Sequence, residues 1–433
     1  MGDVKDGTTR RGLTRLTAGE VIGRAASAVV VAFVVSGGLV LGEFVRVVRP
    51  VTYLVRPFLF VLVCSAVVGL ASLPFGRWSI PVAAFSAAWI VAPSSPVAIG
   101  LAVVLWVLVA YRLWRRTVVD ISRPLIVAVA VFFGAGVVPV IPMLALSQPA
   151  RAETLVDSPP QYAIMLDGYP RPDTLASAGV DITEFLDALD IRGFDLYPEA
   201  TSTHHMTFET LSEMFGVDPQ IGTISQQRAT RDQWRLPDGW SAVVPPLGLV
   251  TIPHATTLNP GGTNAFELAL IAKSLLAPFA RDWVLDGLRA HLNRNLDTIA
   301  STEAPRVFAH VFAPHPPILY RNNQPTGAMS CWPNCRPEQK SAGLTISDLG
   351  LYIQWLNGRL IGVVDEILAR RPDAEIVLFS DHGARLDPEP TEEWHRVFLA
   401  ARTPDRPGLF ADAPHPGMVL EKLTAPRIPP PSH

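Results

Sequence analysis

Four stretches in the first 150 residues carry no charged side chain: 25–42, 57–76, 78–111 and 124–150. A helix needs roughly 20 apolar residues to cross about 30 Å of hydrocarbon. The second and fourth stretches meet that length, and the first meets it with flanking residues. The third is too long for one crossing and has Pro93-Ser-Ser-Pro96 at its middle, so it reads as a hairpin of two short helices. The expectation is an N-terminal bundle of about five transmembrane helices. Charge placement agrees. Lys5, Arg10, Arg11, Arg15 and Arg24 precede the first helix, and Arg112, Arg115, Arg116 and Arg123 follow the fourth. The positive-inside rule sets both groups in the cytoplasm. An odd number of crossings does so and leaves the rest of the chain outside; Arg46, Arg49 and Arg56 then fall on the outer side.

Composition divides at the same place. The first 150 residues hold 13 basic and 5 acidic side chains, a net +8, and the other 283 hold 23 and 34, a net −11. A basic nucleic-acid binder and a disordered chain are excluded by that pattern. A cleavable signal peptide does not suit the first segment, because further crossings follow it. Ionisable residues are almost absent from the apolar stretches, which gives transport little support. The expected organisation is an anchor over 1–146, a polar, proline-containing linker over 147–160, and a globular domain over 161–433.

In the globular part, short apolar runs at 162–166, 307–312 and 376–379 read as buried strands, and 396–402 as another. Between them, 182–192 and 346–370 carry a helical period, the latter through Leu349, Ile353, Leu356, Leu360, Val364 and Leu368. Strands alternating with helices imply an α/β domain with a central, mostly parallel sheet. Long irregular connections are expected at 217–265 and 316–344. In such sheets functional groups gather beyond the carboxyl ends of the strands. Asp167 follows the first strand, His315 the second and Asp381-His382-Gly383 the third, while His395 precedes the last. Oxygen ligands from Asp and nitrogen from His suit zinc or manganese. Thr207 opens a helical pattern that stops at Gly216. A hydroxyl there meets the positive end of the helix dipole and free N–H groups able to hold a phosphate oxygen. The alternative is that Thr207 caps the helix.

The order Leu-Asp167-Gly, Thr207 at a helix start, His315-Pro, then Ser-Asp381-His382-Gly resembles the alkaline-phosphatase/sulfatase-like superfamily. More narrowly, it resembles its membrane-bound phosphoethanolamine transferases and lipoteichoic acid synthases, which also place five helices before an extracytoplasmic catalytic domain. The resemblance implies an alkaline-phosphatase-like fold over 161–433. It implies a metal held by Asp167, Thr207, Asp381 and His382, with Thr207 as the nucleophile that becomes phosphorylated. His315 and His395 match histidines that contact substrate phosphate or a second metal. The implied partners are a membrane lipid donor and an envelope glycan or lipid acceptor, not nucleic acid, and the implied location is the cell membrane. Asp167 stands where the transferases carry Glu, and no cysteine lies near Thr207, so sulfate-ester hydrolysis is disfavoured. Water as sole acceptor, or an inactive ligand-binding relative, are the other readings. Cys331 and Cys335 could close a small disulfide in an oxidising compartment.

Overall fold

The computed structural model describes residues 18–45, 55–73, 82–83, 86, 158–244, 250, 252, 255–258, 277–321, 323–326, 346–383 and 392–426. The chain divides into two compact units, taken separately here. The first is helical, with α1 (Ala18–Val45) and α2 (Val55–Ala71). Phe33 and Phe58 meet edge to face at 6.1 Å, and Val68 packs against Ala28, Ala32 and Ala83. Among the described residues no helix is long and apolar enough to cross a membrane. Helix α1 has 28 residues and α2 has 17. Most of the third stretch and all of the fourth lie outside the described residues.

The second unit is built on a seven-stranded sheet. Its elements are β1 (Gln161–Asp167), α3 (Pro172–Ser177), α4 (Thr183–Ile191), β2 (Asp195–Leu196), α5 (Thr207–Met214), α6 (Ile224–Arg231), β3 (Ser241–Val243) and β4 (Thr256–Thr257). There follow α7 (Ala277–Ser301), β5 (Arg306–Pro314), the hairpin β6 (Tyr320–Arg321) and β7 (Gln324–Pro325), and α8 (Ile346–Arg370). The chain then forms β8 (Glu375–Ser380), β9 (Leu399–Arg402) and α9 (Val419–Thr424). The sheet order is β2-β9-β8-β1-β5-β3-β4. The strands from β8 to β4 are parallel, and β9 runs antiparallel to both β8 and β2. The expected mostly parallel sheet is therefore present, with one reversed strand near an edge.

Alternation along the central strands sorts side chains onto two faces. Tyr162, Ile164 and Leu166, with Val307, Ala309, Val311, Ile376 and Leu378, join the core built with α4, α7 and α8. Ala163 and Met165, with Phe308, Val377 and Phe379, join the core built with α5, α9 and Trp234. Both faces are apolar, so the strands are continuous hydrophobic runs, as central parallel strands are. The period read in α8 is the one that packs: Leu349, Ile353, Leu356, Leu360 and Val364 are buried, and Leu368 lies at the margin.

Two expectations need correction. The 217–265 connection is not simply irregular, since it contains α6, β3 and β4. The three-residue and two-residue strands are too short to show a period of two. The 316–344 connection contains the small β6–β7 hairpin, and its remainder, with Cys331 and Cys335, lies outside the described residues.

Candidate metal centre

The parity that sorts the core carries into the site, with Asp167 the last residue of β1, His310 within β5 and Asp381 just past β8. Asp167 follows Met165 by two residues, and Asp381 follows Phe379 by two. His310 follows Phe308 by two. All three therefore belong to the sheet face covered by α5. The β1–β5 register jumps from Leu166↔Val311 to Asp167↔Pro314, a bulge of the kind that re-aims side chains at sites.

Asp381 is fixed through one oxygen. Its Oδ1 accepts the N–H groups of Gly168 and His382, each at 3.0 Å. Its Oδ2 is buried without a hydrogen-bond partner and lies 3.6 Å from His382 Nε2. Asp167 is arranged likewise. Its Oδ2 is 3.1 Å from His310 Nε2, while its buried Oδ1 has no hydrogen-bond partner and lies 3.5 Å from His382 Nε2. The Nδ1–H of His382 donates to the Gly383 carbonyl at 2.8 Å. In the neutral ring this leaves Nε2 carrying the lone pair, the arrangement found in metal-ligating histidines. Asp167, Asp381 and His382 each offer one ligand atom, and these lie within 4.8 Å of one another.

A buried acceptor without a donor costs roughly 1–3 kcal/mol, more when it is charged. Here two such oxygens face one imidazole nitrogen. A divalent cation fits this donor set, because it supplies the positive charge that both oxygens lack. Burial pushes the Asp167 carboxyl up, but His315, with His310 and His382, outweighs it and holds the group well below the usual carboxylate range. Asp167 is thus a carboxylate at neutral pH, ready to ligate.

Glycines let the backbones approach. A Cβ on Gly383 would lie 2.1 Å from the Glu393 carbonyl oxygen and 2.7 Å from that of Arg396. The Gly383 N–H donates to the Trp394 carbonyl at 2.7 Å. The segment before β9 therefore crosses the end of β8 at backbone contact, which brings His395 to this edge of the sheet. Gly168 has φ +74°, and a Cβ there would meet the His382 ring at 3.1 Å. Ser380 ties the layers, accepting the Tyr169 N–H at 2.8 Å.

Thr207 is the first residue of α5. The cap position belongs to Met206, which is extended and makes no side-chain cap bond, so capping is not the role of Thr207. Thr210, one turn on, donates its hydroxyl to the Asp381 carbonyl at 3.0 Å. Residues three apart share a helix face, so Thr207 lies on the face of α5 turned to Asp381. The other predicted histidines repeat the His382 pattern. His395 Nδ1–H donates to the Ser202 carbonyl at 2.9 Å, and His315 Nδ1–H to the Pro316 carbonyl at 2.6 Å. Both neutral rings then carry the lone pair on Nε2. His315 also packs on Phe312, with ring centres 4.7 Å apart. His310 was not predicted. The available signal was a lone histidine inside an apolar strand, in parity with Phe308.

No known family and no curated protein matches the sequence. Several solved structures show a distant likeness. The periplasmic domain of phosphoethanolamine transferase EptC from Campylobacter jejuni is 11% identical, with 62% of this chain and 91% of that chain covered, at a TM-score of 0.36. The integral membrane lipooligosaccharide phosphoethanolamine transferase A (EptA) from Neisseria meningitidis is 13% identical, with 90% and 78% covered, at 0.30. The 2-O GAG sulfatase BT1596 is 11% identical, with 57% and 65% covered, at 0.35.

Proposed function

We propose that this protein is a metal-dependent, membrane-held phosphotransferase that moves a phospho-alcohol head group from a lipid donor to an envelope acceptor through a phosphothreonine. The observation that carries the proposal is the pair of buried, unpartnered carboxylate oxygens on Asp167 and Asp381, converging with His382 Nε2. Asp167, Asp381 and His382 would hold zinc or manganese, with Thr207 Oγ as a further ligand. The bound cation would supply Lewis acidity, lowering the pKa of a ligated hydroxyl and offsetting charge on phosphoryl oxygens.

The rest is the work of the chain. Thr207 Oγ forms a bond to the donor phosphorus as it loses its proton. The bond from phosphorus to the oxygen of the donor's lipid alcohol breaks, and that oxygen takes up a proton. N–H groups in the first turn of α5, which have no intrahelical acceptor, hold a phosphoryl oxygen. An acceptor hydroxyl then attacks phosphorus, gives up its proton, and the Thr207 Oγ–phosphorus bond breaks. His315 and His395 stand as the groups that contact substrate phosphate or a second metal. The five-helix anchor of the proposal would tether the catalytic domain to the membrane that holds its lipid donor.

The test is turnover by the full-length protein in detergent, with zinc or manganese and a lipid phosphodiester. T207A should abolish it, and undiminished turnover in that variant would remove Thr207 from the mechanism. Product analysis with and without an added glycan separates transfer from hydrolysis: capture of the head group by the glycan supports the transferase, and release to water alone refutes it.

A further inference from the structure

Arg231 ends α6 against the start of α5. Its guanidinium carbon lies 5.2 Å from the centre of the Phe208 ring and 5.9 Å from that of Trp234. Those two rings are themselves 5.7 Å apart. Trp234 is fully buried and donates its Nε1–H to Ser212 Oγ at 3.1 Å, so the platform under the guanidinium is fixed to α5. Phe208 adjoins Thr207 in the first turn of that helix.

Among the described residues the charge on this platform has no carboxylate counterpart. Arg231 Nε is buried without a hydrogen-bond partner, and among the described residues no carboxylate pairs with the group. By contrast, Arg171 pairs with Asp173, Arg192 with Asp365 and Arg406 with Glu375, and Arg402 donates to three carbonyls. The Nε atoms of Arg294, Arg321 and Arg359 also lack a partner, but among the described residues none of these three is stacked on two rings. Burial lowers the Arg231 pKa, and no acid opposes the shift. A partly buried cation left unpaired in a domain of net −11 is costly. Stacking on two rings recovers some of that cost and leaves the planar N–H donors oriented for an oxyanion.

We propose that Arg231 is an anion subsite, taking a phosphate of the substrate other than the one attacked. The proposal rests on the reading of Thr207 as nucleophile, because Phe208 is what sets the subsite beside it. The phosphate could belong to donor or acceptor, and the experiment separates these sources.

Inorganic phosphate is titrated calorimetrically into the full-length, metal-stripped protein in detergent at low salt. Wild type should bind it. R231Q should bind about tenfold more weakly or worse, and R231K, which keeps charge but loses the fork, should fall between. If R231Q fails to fold, R231K carries the comparison. Phosphate binding by R231Q or R231K equal to wild type overturns the proposal, as does absence of binding by wild type. With metal restored, R231Q should raise KM and spare kcat. A rise for glucose 1-phosphate as acceptor but not for glucose assigns the phosphate to the acceptor. A rise for cardiolipin, which carries a second phosphate that is not attacked, but not for phosphatidylethanolamine assigns it to the donor, and no rise with either phosphate-bearing substrate overturns the proposal. If the wild type turns over no phosphodiester, the nucleophile reading fails, while the titration still decides whether Arg231 binds phosphate.

Discussion

Replacing Asp381 by Asn should stabilise the metal-free protein while abolishing its metal response. Asp381 Oδ1 accepts two backbone N–H groups, and an amide oxygen can keep both. The other position, now a buried oxygen without a donor, becomes an NH₂ able to donate to Asp167 Oδ1. One oxygen of each carboxylate lies within 4.8 Å of the other, which at an effective dielectric of 20 is about 3.5 kcal/mol of repulsion. The nearby histidines offset part of this, so a net gain of about 2 kcal/mol is expected. For a domain of this size, a shift of about 2–4 °C accompanies each kcal/mol, giving about 4–8 °C. Wild type should instead gain about 2.7 kcal/mol from metal at a hundred times its Kd, and D381N none. Thermal unfolding of both proteins in detergent, with chelator and then with zinc or manganese, reads all four numbers. A lower melting temperature for chelated D381N, together with an undiminished metal response, would refute the assignment.

His310→Ala should lower metal affinity about 10–100-fold, the usual effect of removing a group that orients a ligand, because Asp167 Oδ2 loses its donor; competitive chelator titration measures it. Gly383→Ala should lower affinity by a similar factor, since the new Cβ meets two backbone carbonyls and forces the 393–396 segment away. Arg406→Ala should cost about 3 kcal/mol by stripping an ion pair at 2.6 Å from the buried Glu375, with metal affinity unchanged; denaturant unfolding checks both. Arg192 holds the Asp365 carboxyl below its ordinary value. That group's folded pKa is depressed, so its stabilisation is present above the unfolded value and fades as pH falls through the folded one. Asp365→Asn should therefore flatten the acid-side decline of the urea midpoint, and an unchanged decline would count against the pairing.

Much of the site was legible because its chemistry lies next to long apolar strands. Asp167 and Asp381 could be located by their position after runs that have no other reading than buried strand. The length of α8 was legible from an uninterrupted period. His310 was not, because inside a strand one polar residue looks like an exception to the core. Its meaning appears only when β5 is placed beside β1, and the parity shared with Phe308 becomes a shared face. Gly383 could be read as part of a motif, but the crossing of 393–396 above it is a long-range contact with no local trace. Arg231 has no local trace for the same reason: its stacking on Phe208 and Trp234, with no acid partner among the described residues, is a property of the packed domain, not of its neighbours in the chain. Helices α6 and α7 were missed where a weak apolar period gave no clear stripe.

The central claim is that Thr207 carries the phosphoryl group in a metal-dependent reaction. Acid quenching of the full-length protein during turnover of a lipid phosphodiester, followed by peptide mass spectrometry, tests it directly. The account predicts a phospho-alcohol adduct on Thr207 that appears with zinc or manganese and is absent in D381N. Turnover with no adduct at Thr207, or an adduct that forms without metal, would contradict it.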